Sequence, residues 1–130
     1  MDKDSKLWID FLIVGIGGFI GSCLRFALSQ IAEYHGASFP LGTLFFNIIA
    51  GVAIGFVIGL DIYSPKTKLF LTTGLLGGLS TFSAFSLETV NLFSDGKYFH
   101  SISNILLNLI LSFGGVILGM FLAGLLTKKA

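Results

Sequence analysis

Long apolar runs separated by short polar connectors set the pattern of this 130-residue chain. Leu41 to Leu60 is twenty residues without a charge, and Ile102 to Leu126 is twenty-five. Leu69 to Leu87 gives nineteen before Glu88, with glycine and serine interrupting it, and Leu7 to Ile31 is apolar except for Asp10 and Arg25. A hydrocarbon core about 30 Å thick is crossed by roughly 20 residues of helix. The pattern therefore predicts an all-α integral membrane protein: one unit over residues 1–130 with spans at about 7–31, 41–60, 69–88 and 102–126. The connectors Ala32–Pro40, Asp61–Lys68 and Thr89–Ser101 leave no room among these residues for a catalytic domain outside the membrane.

Composition narrows the classes further. Hydrophobic residues make up 54% of the chain and charged residues 12%, half the roughly 25% charge of soluble domains. That excludes an ordinary soluble domain and a disordered chain, and a net charge of +1 gives no electrostatic case for nucleic acid. The single cysteine, Cys23, rules out an internal disulfide, and no Cys/His cluster has metal-site spacing. Lys3 and Lys6 precede the first apolar run as in a signal peptide, but that run is too long, lacks a small-residue cleavage site and is followed by three more. Gly15 and Gly17 fail the dinucleotide fingerprint, because position 20 is isoleucine and no strand precedes them.

In a four-span arrangement Lys3, Lys6, Lys66, Lys68, Lys128 and Lys129 fall on one side; Lys97 falls on the other, with Arg25 near that end of the first span. The positive-inside rule then expects both termini in the cytoplasm.

Polar groups inside lipid must find a protein partner or line a wet cavity, so their spacing carries information. Gly17, Gly21, Arg25 and Ser29 recur every four residues on the first span, and Thr43, Asn47, Gly51, Gly55 and Gly59 on the second. Ser101, Asn104, Asn108, Ser112, Gly115 and Gly119 form a stripe on the fourth. The glycines read first as packing residues that let helix backbones approach closely. The asparagines support two readings: interhelical hydrogen bonds, or a polar track whose neutral groups bind an ion without trapping it.

The third span is unusual. Gly74, Gly77 and Gly78 precede Ser80, Thr81, Ser83 and Ser86, and glycine and hydroxyl residues weaken a helix. A helix broken near mid-membrane is tolerated only inside protein or beside a cavity, and its freed carbonyls would hold a cation or its freed N–H groups an anion. A kinked packing helix is the alternative. Phe82 and Phe85, three residues apart, share a face, and ring edges carry positive potential; in a chain with fourteen phenylalanines, two core or lipid-facing rings are the better reading of these residues by themselves. Arg25 lies about 27 Å along the first helix from Leu7, which suits a structural or vestibule role. Glu88 would pair with Lys97 or sit at a pore mouth. His35 and His100 fall in connectors and carry no evident chemistry.

Three segments together resemble the CrcB/Fluc family of small fluoride channels. They are Gly17-Gly18-Phe19-Ile20-Gly21-Ser22-Cys23-Leu24-Arg25-Phe26, Pro40-Leu41-Gly42-Thr43-Leu44-Phe45-Phe46-Asn47 and Gly77-Gly78-Leu79-Ser80-Thr81-Phe82-Ser83-Ala84-Phe85. Each alone is a weak signal; in order in a four-span chain they are a strong one. The resemblance implies an antiparallel (dual-topology) dimer of oppositely inserted subunits, with two narrow pores at their interface. It implies passive fluoride export that relieves toxicity, in the inner (plasma) membrane of a prokaryote. By the same resemblance, Asn47 is a pore asparagine, and Phe82 and Phe85 contact fluoride through their edges. Ser83, Asn108 and Ser112 would continue the polar track. Backbone oxygens of Gly77 and Ser80 from both subunits would coordinate a central structural sodium ion.

Departures from the family pattern are Ala84 and Ser80 in place of threonines and the lack of a tyrosine in the fourth span. The lysine asymmetry is at odds with insertion in both orientations and leaves two partners open: a second copy, or a distinct subunit of opposite orientation. A proton-coupled small multidrug transporter needs a carboxylate deep in the first span, where this chain has only Asp10 near an end. A non-conducting scaffold subunit would explain the glycine stripes but not polar residues on three helices at once. No nucleophile–base pair or metal constellation supports an enzyme.

Overall fold

The computed structural model describes residues 3–34 and 40–127. His35, Lys128 and Lys129 lie outside them. Four stretches are long and apolar enough to cross a membrane: Lys3–Ile31, Leu41–Leu60, Pro65–Ser94 and Tyr98–Thr127. Helix α1 runs Lys3–Tyr34 and α2 Leu41–Leu60. The third stretch comprises α3 (Pro65–Leu69), a π-helical segment (Phe70–Leu76), α4 (Gly77–Leu79) and α5 (Phe82–Ser94), and α6 (Tyr98–Thr127) completes the bundle.

Local chemistry sets the ends. Ser64 caps α3 by accepting the Thr67 N–H at 3.2 Å, with Pro65 at the first helical position, where its missing N–H costs nothing. Gly96, at φ +74°, turns the chain between α5 and α6, and the Lys97 N–H returns to the Leu92 carbonyl at 2.9 Å, a glycine-terminated helix end. Helices α5 and α6 are thus separated by three residues only, Asp95 to Lys97. The polar residues after Glu88, read from sequence as a connector, lie mostly on helix.

Packing divides the bundle into two intimate pairs: α1 against the π-helical segment and α4, and α2 against α6. Both rely on glycine. A Cβ on Gly21 would overlap the Leu75 carbonyl oxygen, and one on Gly17 would come within 2.8 Å of the Phe70 oxygen. In the other pair a Cβ on Gly55 would overlap the Val116 oxygen, and one on Gly119 the Val52 oxygen. Helix α5 packs on α6 and joins the pairs. Large apolar side chains such as Phe19, Phe113, Ile117 and Phe121 face outward, as suits a surface met by lipid or another subunit rather than water.

Candidate functional site

The site is built where α4 gives way to α5. Ser80 (φ −81°, ψ 154°) and Thr81 (φ −153°, ψ 124°) have extended backbone between the two helices. Thr81 caps α5, its hydroxyl accepting the Ala84 N–H at 3.2 Å. In an uninterrupted helix that N–H would donate to the Ser80 carbonyl, and the Thr81 N–H to Gly77. The Thr81 N–H instead donates to Asn47 Oδ1 at 2.9 Å. The carbonyls of Gly77 and Ser80 have therefore both lost their helical donors. A third, Gly78, accepts from Arg25 Nε at 3.3 Å, which places a cation at the carboxyl end of α4.

Asn47 starts a series of side-chain bonds. Its Nδ2 donates to Asn108 Oδ1 at 2.9 Å, and Asn108 Nδ2 donates to Asn104 Oδ1 at 2.9 Å. Asn104, fully buried, donates from Nδ2 to Thr89 Oγ1 at 3.0 Å. The Thr89 hydroxyl donates to the Phe85 carbonyl at 2.7 Å. Ser101 Oγ adds a bond to the Thr89 carbonyl at 2.9 Å. The stripe on α6 and the polar face of α2 thus meet each other and one face of α5, since Thr81, Phe85 and Thr89 are spaced four apart.

Beside this series lies a cleft of about 300 Å³, and Asn47, Gly77, Ser80, Phe82, Phe85, Asn108 and Ser112 all line it. The Phe82 and Phe85 rings meet edge to face, centroids 5.3 Å apart at 62°. Phe85 is buried, whereas Phe82 is exposed on the surface of the single chain. The Ser112 hydroxyl is buried without a hydrogen-bond partner. An unpaired buried hydroxyl is costly, and Ser112 is one of the residues on the cleft wall.

Three of the residues singled out from sequence sit apart from the cleft. Ser83 is exposed and hydrogen-bonded to Thr81 Oγ1 at 3.1 Å. Arg25 is half-buried and donates to the Gly78 carbonyl. Glu88 takes the Thr43 hydroxyl on one carboxylate oxygen, while the other is buried without a partner; Thr43, not Lys97, is its neighbour. No group of three or more metal-ligating side chains occurs among the described residues.

A model of the family described as "CrcB-like protein, Camphor Resistance (CrcB)" matches residues 12–120. The chain belongs to this CrcB-like family. It is similar to a protein of Clostridium novyi named "Fluoride-specific ion channel FluC", at 47% identity over 85% of this chain and 91% of the relative. Proteins of the same name from Clostridium perfringens and Dehalococcoides mccartyi are 45% and 36% identical. Those matches cover 88% and 93% of this chain and 94% and 97% of the relatives. The CrcB-like chain is a multi-pass membrane protein and, as a member of a channel family, not an enzyme.

Sequence reasoning about this CrcB-like chain overlooked Thr81 as an anchor and Thr89 altogether. The signal available was the Thr81–Phe85–Thr89 spacing, hidden because the apolar run stops at Glu88.

Proposed function

We propose that the chain is a fluoride-selective channel subunit giving passive fluoride export from the cytoplasm across the inner (plasma) membrane. The observation that carries the reading is the cleft on which an asparagine amide, an unpartnered serine hydroxyl and two phenylalanine rings converge, in a chain nearly half identical to a protein named for this activity. Fluoride is small and strongly hydrated, so a narrow path must replace its water with hydrogen-bond donors. The Asn47 amide and the Ser112 hydroxyl supply them; Asn108, whose two N–H groups both go to Asn104, lines the path and holds Asn47 through its Oδ1, and the ring edges of Phe82 and Phe85 supply weaker positive potential.

The single chain presents Phe82 on its outer surface, so the pore is completed by a second subunit. We place that subunit in the opposite orientation, giving an antiparallel dimer with pores at the interface and the break between α4 and α5 near mid-membrane. The partner is a second copy or a distinct paired subunit. The Gly77 and Ser80 carbonyls, relieved of their helical donors, fit the oxygen ligands of a sodium ion shared between subunits. Sodium bound there supplies positive charge that lowers the cost of an anion inside the bilayer. Arg25 and Glu88 take structural or vestibule roles, and Ser83 extends the polar path through Thr81.

The reading is tested by recording reversal potentials across planar bilayers containing the purified chain, with fluoride and chloride on both sides in opposed concentration gradients. A reversal potential near the fluoride equilibrium value supports it; one near the chloride value, or currents that do not discriminate, refutes it.

A further inference from the structure

The amide series from Asn47 to Thr89 runs in one direction, and its two ends explain why. The Thr81 N–H can only donate, so it fixes Oδ1 of Asn47 as the atom facing it. The Phe85 carbonyl can only accept, so the Thr89 hydroxyl spends its proton there and turns its lone pairs to Asn104 Nδ2. Asn108 is fixed a second time, because its Nδ2 also donates to the Asn104 backbone carbonyl at 3.1 Å. Flipping any one amide would set donor against donor or acceptor against acceptor. Five bonds in series therefore share a single polarity, and bonds so aligned polarise one another.

At the cleft end of this series a hydrogen is loosely held. Asn47 Nδ2 has a second N–H whose protein partner is the Thr81 carbonyl at 3.4 Å, beyond the usual 2.7–3.2 Å range. Asn47 lines the cleft; Asn104 and Thr89 do not.

We propose that Thr89 and Asn104 are positioning residues for fluoride passage, holding the far end of the amide series so that the loosely bonded Asn47 N–H stays available to an anion in the cleft. The inference rests on the channel reading. Without the Thr89 acceptor, the Asn104 amide loses the bond that orients it at that end. Asn108 keeps the Asn104 backbone carbonyl but loses the aligned side-chain acceptor, so the polarisation passed along to the Asn47 N–H weakens while the Thr81 N–H still holds Asn47 Oδ1. The effect reaches the cleft through three amides and no change in its lining.

The test is fluoride efflux from liposomes holding wild type, Thr89→Val, Thr89→Ser, Asn47→Ala and the Thr89→Val/Asn47→Ala double variant, each checked for assembly by size-exclusion chromatography. Thr89→Val keeps the side-chain shape and removes the hydroxyl that makes two of the five bonds, and it is expected to slow efflux about tenfold, the scale of a lost hydrogen bond. Thr89→Ser restores the rate to within about twofold, because the hydroxyl returns. In the Asn47→Ala background Thr89→Val produces no further loss, since both act on the same donor. An assembled Thr89→Val channel with wild-type efflux overturns the inference, as does a full tenfold loss retained on the Asn47→Ala background. If Thr89→Val does not assemble, Asn104→Ser takes its place under the same two criteria. Failure of the wild type itself to pass fluoride overturns the channel reading instead.

Discussion

The carboxamide of Asn47 meets both backbone groups of Thr81, accepting its N–H at 2.9 Å and reaching its carbonyl at 3.4 Å. One side chain on α2 thus does for the extended residues between α4 and α5 what the next strand does in a sheet. Peptide groups outside a helix are expensive in lipid unless paired, so Asn47 holds the local structure as well as facing the cleft.

The two roles separate by substitution. Asn47→Asp keeps an oxygen for the Thr81 N–H but removes both amide donors and adds negative charge. It is expected to assemble yet lose most fluoride efflux. Asn47→Ala loses the anchor too and is expected to be destabilised by about 1–3 kcal/mol, read as a lower melting temperature in detergent.

Glycine roles divide in the same way. A Cβ at Gly21 overlaps the Leu75 carbonyl oxygen, whereas one at Gly15 meets nothing within 4 Å in the chain. Gly21→Ala forces α1 away from its partner and is expected to cost at least 1–3 kcal/mol, the scale of overpacking, or to prevent folding. Gly15→Ala is expected to leave the melting temperature unchanged or slightly raised, alanine being the better helix former by about 1 kcal/mol.

Arg25 holds the carboxyl end of α4 through Gly78. Arg25→Gln removes the cation and is expected to destabilise the fold by about 1.5–3 kcal/mol, the range for hydrogen bonds to charged groups. Arg25→Lys keeps the charge without the guanidinium fork and is expected to fall between glutamine and arginine when melting temperatures are compared.

At the connector between α2 and α3, the hydrogen bond and charge of Lys68 hold the Asp61 carboxyl below its ordinary value. A depressed carboxyl contributes stability at pH above its unfolded value, and that contribution disappears as pH falls through the folded value. Here the carboxylate is fully exposed, so solvent screens the pair and the contribution is small. Asp61→Asn is therefore expected to melt with wild type between about pH 5 and 8.

Much of this architecture was legible because lipid punishes polarity so strongly. The limits of α2 follow from the charge-free run Leu41–Leu60, and the glycines at 17, 21, 51, 55 and 119 lie against neighbouring backbone as their four-residue spacing suggests. Hydropathy marks where a chain leaves the apolar layer, not where its helix ends. Helix α5 therefore runs past Glu88 to Ser94, and α6 begins at Tyr98 rather than near residue 102. The same effect hid Thr89. Sequence placed Asn47, Asn104 and Asn108 at membrane depth but left bonding and a polar track as alternatives. In the fold they bond one another, and two of them, Asn47 and Asn108, also line the cleft. Glu88 could not be paired from sequence, because its partner Thr43 is 45 positions away on another helix.

The central claim, selective fluoride conduction by this chain, is tested most directly by ion efflux from liposomes that contain it alone. Vesicles loaded with potassium fluoride or potassium chloride are opened to potassium with valinomycin, and the released anion is followed with an ion-selective electrode. The account predicts rapid fluoride loss with chloride retained. Equal loss of both anions, or fluoride retention by this chain alone and also beside a paired subunit of opposite orientation, would contradict it.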